Sequence, residues 1–196
     1  MVNIEPVLYI GTTQSFFAGL LIATKKPTTT ANRVMAAWLF MICIEMIFAL
    51  LNSKVIEMYS FPFITFTYGP LLYLYISFMT TPGRKFNPVE LIHFVPFVVF
   101  FTVSVVFRSE PLVRDLRGFF EPDKLMPLRM VYSVSFFLSI TTYSILSFIK
   151  INKHQSNLMD LTSFTSQRIT LNWLKVLAIS FYVEYIIVFI LGGLKI

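Results

Sequence analysis

Six long apolar stretches dominate this sequence and constrain what it can fold into. Each contains about 18 to 22 residues, enough for a helix to cross a hydrocarbon core about 30 Å thick. A segment that spans lipid must satisfy its own backbone hydrogen bonds, and apolar runs without strict alternation do not fit a membrane β-barrel. The sequence therefore predicts an all-α, polytopic transmembrane helix bundle that forms a single domain over residues 1–196. The predicted spans are Val7–Thr24, Val34–Leu51, Phe61–Thr80, Val89–Phe107, Val131–Ile149 and Trp173–Leu194.

The composition agrees with a lipid environment. Hydrophobic residues make up 56% of the chain and charged residues 13%, with a mean hydropathy of +0.74. A soluble domain could not hide that much apolar surface. The single cysteine, Cys43, lies inside the second span and cannot form an intrachain disulfide.

The positions of the lysines and arginines predict the orientation. The turns after the first, third and fifth spans contain nine of them, against seven on the other side, where acidic residues nearly balance the charge. Short turns dominate the positive-inside rule, and the short turns with Lys25, Lys26 and Arg33 and with Arg84 and Lys85 are strongly basic. We therefore expect the N-terminus outside the cytoplasm, and the basic surplus needs no nucleic acid to explain it.

An even number of spans returns the C-terminus of an N-out chain to the outside. The sixth span is followed only by Lys195 and Ile196. We expect these six helices to belong to a seven-span bundle whose last helix is missing from this sequence.

Small residues recur at intervals of four in the first span, at Gly11, Ser15, Gly19 and Ala23. This spacing lines one helix face and lets a neighbouring backbone approach closely, which predicts a helix-packing surface. Gln14 lies beside this face near mid-membrane, where its amide needs a partner on another helix. It is a candidate ligand contact, although a structural hydrogen bond is the more ordinary interpretation.

Glu45 and Glu184 are the ionisable residues placed well inside the second and sixth spans. Burying such a group costs about 2.5 to 3.5 kcal/mol on insertion scales, so it usually has a function. We expect both carboxyl groups to face the bundle interior, protonated or hydrogen-bonded. The sequence leaves a structural role and a ligand or proton role equally open.

The third span contains the phrase Tyr68, Gly69, Pro70. Pro70 lacks a backbone N–H, so we expect a bend near Phe66 and a candidate ligand or signal site that includes Tyr68 and Pro70. Two further polar features favour local or interhelical bonding. Glu90 and His93 have the spacing of a pair on one helix face, and a stripe of hydroxyl groups follows the fifth span at Ser135, Ser139, Tyr143 and Ser147.

Motifs of enzymatic chemistry are not recognisable in the sequence. We find no phosphate loop, nucleophile elbow, zinc-binding helix or catalytic carboxylate pair, and neither histidine has further ligands at metal-binding spacing. The sequence thus predicts no enzyme, no catalytic residue, no metal and no cofactor.

Several phrases, in order, resemble the N-terminal membrane region of bacterial AraC-type helix-turn-helix transcription regulators of Bacteroidetes-like organisms. The resemblance covers nearly the whole chain and is most distinctive in the third span. Its phrases are Gly11 with Gln14, Ala31–Arg33, Tyr68–Tyr75, Leu91–Phe97, and Phe164–Ser166 leading to Leu171–Leu174.

This resemblance implies a membrane-embedded sensor in a bacterial inner membrane that passes an outer or intramembrane stimulus to a cytoplasmic DNA-binding domain. These 196 residues do not include that domain, so DNA is a partner only through it. The expected partners are the lipid bilayer and an unknown small-molecule or membrane stimulus, with a homodimer left open. The alternatives are a small transporter or channel, motivated by the carboxyl groups and the serine stripe, and a scaffold that binds partner helices through the first span.

Overall fold

The residues that the structure describes form a bundle of six membrane-spanning helices. The computed structural model describes residues 5–54, 63–81, 83–106, 124, 126–161 and 171–193. Of these residues, 91% are helical, and no strand occurs among them. All six predicted spans correspond to helices that are long and apolar enough to cross a membrane, which confirms the all-α, multi-pass architecture.

The second and fifth helices extend beyond both of their predicted limits, whereas the predicted limits at Phe61, Phe107 and Leu194 lie outside the described residues. Two short 3₁₀ helices, Phe63–Thr67 and Pro88–Phe94, lead directly into the third and fourth α-helices. The six α-helices are α1 (Glu5–Thr24), α2 (Thr30–Lys54), α3 (Tyr68–Thr80), α4 (Val95–Val106), α5 (Met126–Leu161) and α6 (Asn172–Gly193).

Proline residues occur at helix starts. Where no helix precedes, the first-turn N–H groups lack an intrahelical partner, so Pro6, Pro88 and Pro127 lose no hydrogen bond and their fixed φ favours the helix, while Pro70 and Pro96 lie where a 3₁₀ helix passes into an α-helix. Asn87 assists one start, because its side chain accepts a hydrogen bond of 3.1 Å from the backbone N–H of Val89. The residues concerned are Pro6, Pro70, Pro88, Pro96 and Pro127.

Helix α3 forms the centre of the bundle. Of the segment Phe63–Thr80, 78% is buried, whereas the other five spans are 11% to 22% buried and present most of their surface outward. Leu72 and Ile76 are completely buried between α2 on one side and α5 on the other. α6 packs on α5, and α4 packs on the 3₁₀ helix Phe63–Thr67.

The small-residue face of α1 packs against α2 of the same chain. Ser15 and Gly19 are buried there, and a Cβ added at Gly19 would lie 3.0 Å from Cε1 of Phe40. A Cβ at Gly11 would overlap the sulfur of Met46. The predicted packing surface is therefore used within the chain, although Ala23, at its end, is exposed.

Helix α5 differs most from its prediction. The predicted span ends at Ile149, but the helix continues to Leu161. Its 36 residues correspond to about 54 Å, well beyond the hydrocarbon core. Ile151 is completely buried in the extension, and Gln155 Nε2 donates to Asn172 Oδ1 at 2.8 Å. The burial of Ile151 and the hydrogen bond from Gln155 to Asn172 explain why the helix continues beyond its apolar stretch.

Candidate functional site

Glu45 and Tyr68 meet between α2 and α3. The phenolic Oη of Tyr68 donates a hydrogen bond to Oε2 of the Glu45 carboxylate. Tyr68 is buried as the first residue of α3, and Glu45 is half-buried on α2. The sequence singled out both residues separately, and the structure brings them together.

Three more hydroxyl groups are linked to this pair by a hydrogen bond or by electrostatic interaction. The hydroxyls of Thr65 and Tyr132 lie 3.3 Å apart and share a hydrogen bond, which links the segment before α3 to α5. Tyr132 and Tyr185 lie close enough to Glu45 to interact with it electrostatically. We call Glu45, Thr65, Tyr68, Tyr132 and Tyr185 the Glu45 cluster. It joins α2, α3, α5 and α6 in the half of the bundle away from the basic turns.

Aromatic rings form the wall around the Glu45 cluster. Phe66 stacks on Phe100 with centroids 4.5 Å apart and an interplanar angle of 9°, and it meets the edge of Tyr132 at 5.4 Å. Phe136 lies 5.4 Å from the ring of Tyr185. Such surroundings lower the local dielectric constant, so the hydrogen bond to Glu45 is strengthened and an unpaired carboxyl group there would be costly.

Pro70 lies in the first turn of α3, two residues after Tyr68 of the Glu45 cluster. Because it is the third residue of α3, its missing N–H falls in the first turn. Near the position where a bend is predicted, the chain changes from a 3₁₀ helix to an α-helix between Thr67 and Tyr68. Tyr68 is thus the first residue of α3, and from this position its side chain reaches Glu45.

Gln14 and Glu184 do not reach this site, contrary to the expectation that both side chains meet partners inside the bundle. Both are exposed and have no hydrogen bond among the residues that the structure describes. The reason is helical rotation, since one residue turns a side chain by about 100°. The next residue in each case is the one that packs: Ser15 is buried on α1, and Tyr185 lies on the packed face of α6. Gln14 and Glu184 are therefore turned outward.

A second polar group lies at the end of the bundle where the basic turns are, which we call the basic end. Arg84 donates to Oγ of Ser77 and to Oε1 of Glu90, and its guanidinium carbon lies 5.2 Å from the ring centroid of Phe78. Ser77 and Glu90 are buried, and Oε2 of Glu90 has no partner among the described residues. Arg84 thus ties the turn after α3 to the 3₁₀ helix Pro88–Phe94.

His93 is hydrogen-bonded to Tyr143 and not to Glu90. Its Nδ1 lies 3.1 Å from Oη of Tyr143, on α5. Glu90 forms its direct ion pair with Arg84 and interacts with His93 electrostatically, so the predicted pairing along the helix face occurs without a hydrogen bond between the two. The hydroxyl stripe on α5 is also only partly as predicted. Ser147 is completely buried and Ser135 and Ser139 are half-buried, while the hydroxyls of Thr141, Ser144 and Ser147 have no partner among the described residues.

Sequence reasoning missed Thr65, Tyr132 and Tyr185. Their depth in the membrane could have indicated them. Glu45 lies nine residues before the end of α2 and Tyr185 eight residues before the end of α6, so the two side chains lie at similar depth. Thr65, Tyr68 and Tyr132 lie near the starts of helices that run in the opposite direction. Polar and phenolic side chains at equal depth in several spans would have indicated a shared cluster.

Comparison with known protein families, with curated proteins and with solved structures finds no match for this chain. In the described part of the chain, no three His, Cys, Asp or Glu side chains come together in a way that could hold a metal ion. What the Glu45 cluster offers chemically is a carboxyl group among phenols. It can accept hydrogen bonds from a ligand or exchange a proton.

Proposed function

We propose that this chain is the membrane-embedded sensor region of a signalling protein and that the Glu45 cluster receives the stimulus. The observation that carries the proposal is the Tyr68–Glu45 hydrogen bond within an aromatic wall where four helices meet. A small molecule that competes for this bond, or a membrane state that separates α2 from α3, would favour a different packing of the helices.

Helix α5 is the element suited to carry the change. It contributes Tyr132 to the Glu45 cluster and packs on α3 and α6. Its extension then reaches Gln155, which is bonded to the start of α6. A shift at one end of a packed, continuous helix moves its other end, so the stimulus reaches the basic end through α5.

The direction of the signal follows from the proposed orientation. With the N-terminus outside the cytoplasm of a bacterial inner membrane, the Glu45 cluster lies in the outer half and the α5 extension enters the cytoplasm. The resemblance to AraC-type regulators supplies the output, a cytoplasmic DNA-binding domain that changes transcription. That domain is not among these residues.

Two substitutions in the native host separate the roles of charge and hydrogen bonding. Glu45→Gln removes the charge but keeps an acceptor for Tyr68, whereas Tyr68→Phe removes the bond and keeps the ring. We expect both to change the transcript profile, and the control Tyr75→Phe, which removes a phenol from the same helix, to leave it unchanged. Unchanged transcripts in both variants at normal protein levels would refute the proposal.

A small transporter is the second candidate, favoured by the buried hydroxyls of Thr141, Ser144 and Ser147 without partners among the described residues. Such groups can line a wet path between helices. Reconstituted protein should then move protons or a solute across liposomes, and Ser144→Ala should slow this flux. A sensor moves neither.

A further inference from the structure

A groove opens at the basic end between α2, α3 and the 3₁₀ helix Pro88–Phe94. Its volume is about 600 Å³. Leu71 and Leu74 of α3 are buried beneath it, and apolar side chains from the two flanking segments form its walls. The wall residues are Val34, Ala37, Phe86, Leu91 and Phe94.

Two cations line the same groove. Arg33 lies in the first turn of α2, and Lys85 lies in the turn that follows α3, so both are at the membrane boundary. Both are exposed, and neither forms an ion pair among the described residues. The neighbouring Arg84 differs, because it is already paired with Glu90. Two positive charges at this rim are therefore available to an anion.

Charge and apolar surface are separated along the groove. Ala37 lies one turn beyond Arg33 on α2, about 6 Å deeper. Leu71 and Leu74 likewise lie nearer the middle of α3 than its end at Thr80. The groove thus offers cations at headgroup level and apolar side chains at the level of acyl chains, and it lies open on the outer surface of the bundle.

We propose that this groove binds an anionic phospholipid, with its phosphate between Arg33 and Lys85 and an acyl chain over Leu71 and Leu74. Basic pockets between membrane helices suit such headgroups. A free phosphate would use the two cations but leave the apolar floor uncovered, and a zwitterionic lipid would gain less from the charges. The lipid bridges α2 and α3 at the end opposite the Tyr68–Glu45 bond.

The test is lipid binding to the purified chain in detergent, followed by native mass spectrometry. Phosphatidylglycerol should bind more tightly than phosphatidylcholine. Arg33→Gln/Lys85→Gln should weaken phosphatidylglycerol binding about 30-fold, since each basic side chain near an anionic headgroup contributes a factor of about five. The control Lys25→Gln/Lys153→Gln removes the same charge from exposed positions outside the groove and should change binding less than about twofold.

Ala37→Trp provides an independent test, because it fills the groove and keeps both cations. It should weaken phosphatidylglycerol binding at least about tenfold, and a thermal melt in detergent checks that the variant is folded. Equal binding of the two lipids, equal losses in the charge variant and its control, or full binding by folded Ala37→Trp would each overturn the proposal. Displacement of the lipid by millimolar inorganic phosphate would also overturn it, because it would identify a simple anion site.

Discussion

Tyr68 and Glu45 are 23 positions apart in the sequence, and a single hydrogen bond from phenol to carboxylate joins them across two helices. The bond holds the first turn of α3 against the middle of α2. Glu45 also interacts electrostatically with Tyr132 and Tyr185, and Tyr132 is hydrogen-bonded to Thr65. The strength of the Tyr68–Glu45 bond therefore bears both on the stability of the bundle and on the proposed response to a stimulus.

A double-mutant cycle measures this bond directly. Glu45→Ala and Tyr68→Phe should each destabilise the chain, and the double variant should lose about 1 kcal/mol less than their sum, because interhelical bonds in membranes contribute about 0.6 to 1.7 kcal/mol. Steric-trapping or denaturation measurements in lipid micelles give the three values. Strict additivity would show that the bond contributes nothing in the membrane.

Arg84 and Glu90 form an ion pair, and replacing only one of the two residues should lower the stability of the bundle. Arg84→Gln leaves a buried carboxylate without its cation, and we expect a loss of about 1 to 3 kcal/mol, limited because the Arg84 side chain is 28% exposed. The double variant Arg84→Gln/Glu90→Gln should recover most of that loss. Thermal unfolding in detergent compares the two. A double variant that is less stable than Arg84→Gln would contradict this account.

Gly69 of α3 lies directly against Tyr143 of α5. A Cβ added there would lie 2.9 Å from Cδ2 of Tyr143 and 3.2 Å from its Cβ, in a buried position where the ring has little room to move. Gly69→Ala should therefore destabilise the bundle by about 1 to 3 kcal/mol. Gly11→Ala is the matched control and should cost less, since it meets the flexible end of Met46. The free energy of unfolding of the two variants decides between them.

The extension of α5 predicts slow amide exchange beyond the apolar span. Residues 150–157 are helical and should exchange more slowly than a loop of the same composition. Gln155→Ala removes the bond to Asn172 and should raise exchange mainly at this end, with residues 132–145 unaffected. Hydrogen–deuterium exchange with mass spectrometry reads both regions. Complete exchange of residues 150–157 within seconds would contradict the helix.

The proposed orientation is tested with single cysteines in a Cys43→Ser background. Lys124→Cys, which is exposed before α5, should react with a membrane-impermeant maleimide on intact cells. Lys25→Cys should react only after the membrane is opened. The reverse pattern would place the N-terminus in the cytoplasm and the Glu45 cluster in the inner half of the membrane.

The six spans could be predicted from apolar length alone, because lipid requires it. The rotation of each helix could not. In lipid, both the packed and the exposed faces of a helix are apolar, so the sequence does not show that Gln14 and Glu184 point outward. The Tyr68–Glu45 pair depends on the same rotations, and the α5 extension depends on contacts with α6. Small residues such as Gly11 and Gly19 do carry rotational information, because they reveal where another helix must approach.

The length of α5 has a mechanical consequence. Tyr132 and Lys153 are 21 residues apart on one continuous helix, or about 32 Å. A tilt of about 5° about the Tyr132 end would displace the Lys153 end by about 3 Å, roughly the length of a hydrogen bond. Such a small tilt near Glu45 would therefore be enough to break the hydrogen bond between Gln155 and Asn172 at the other end of the helix.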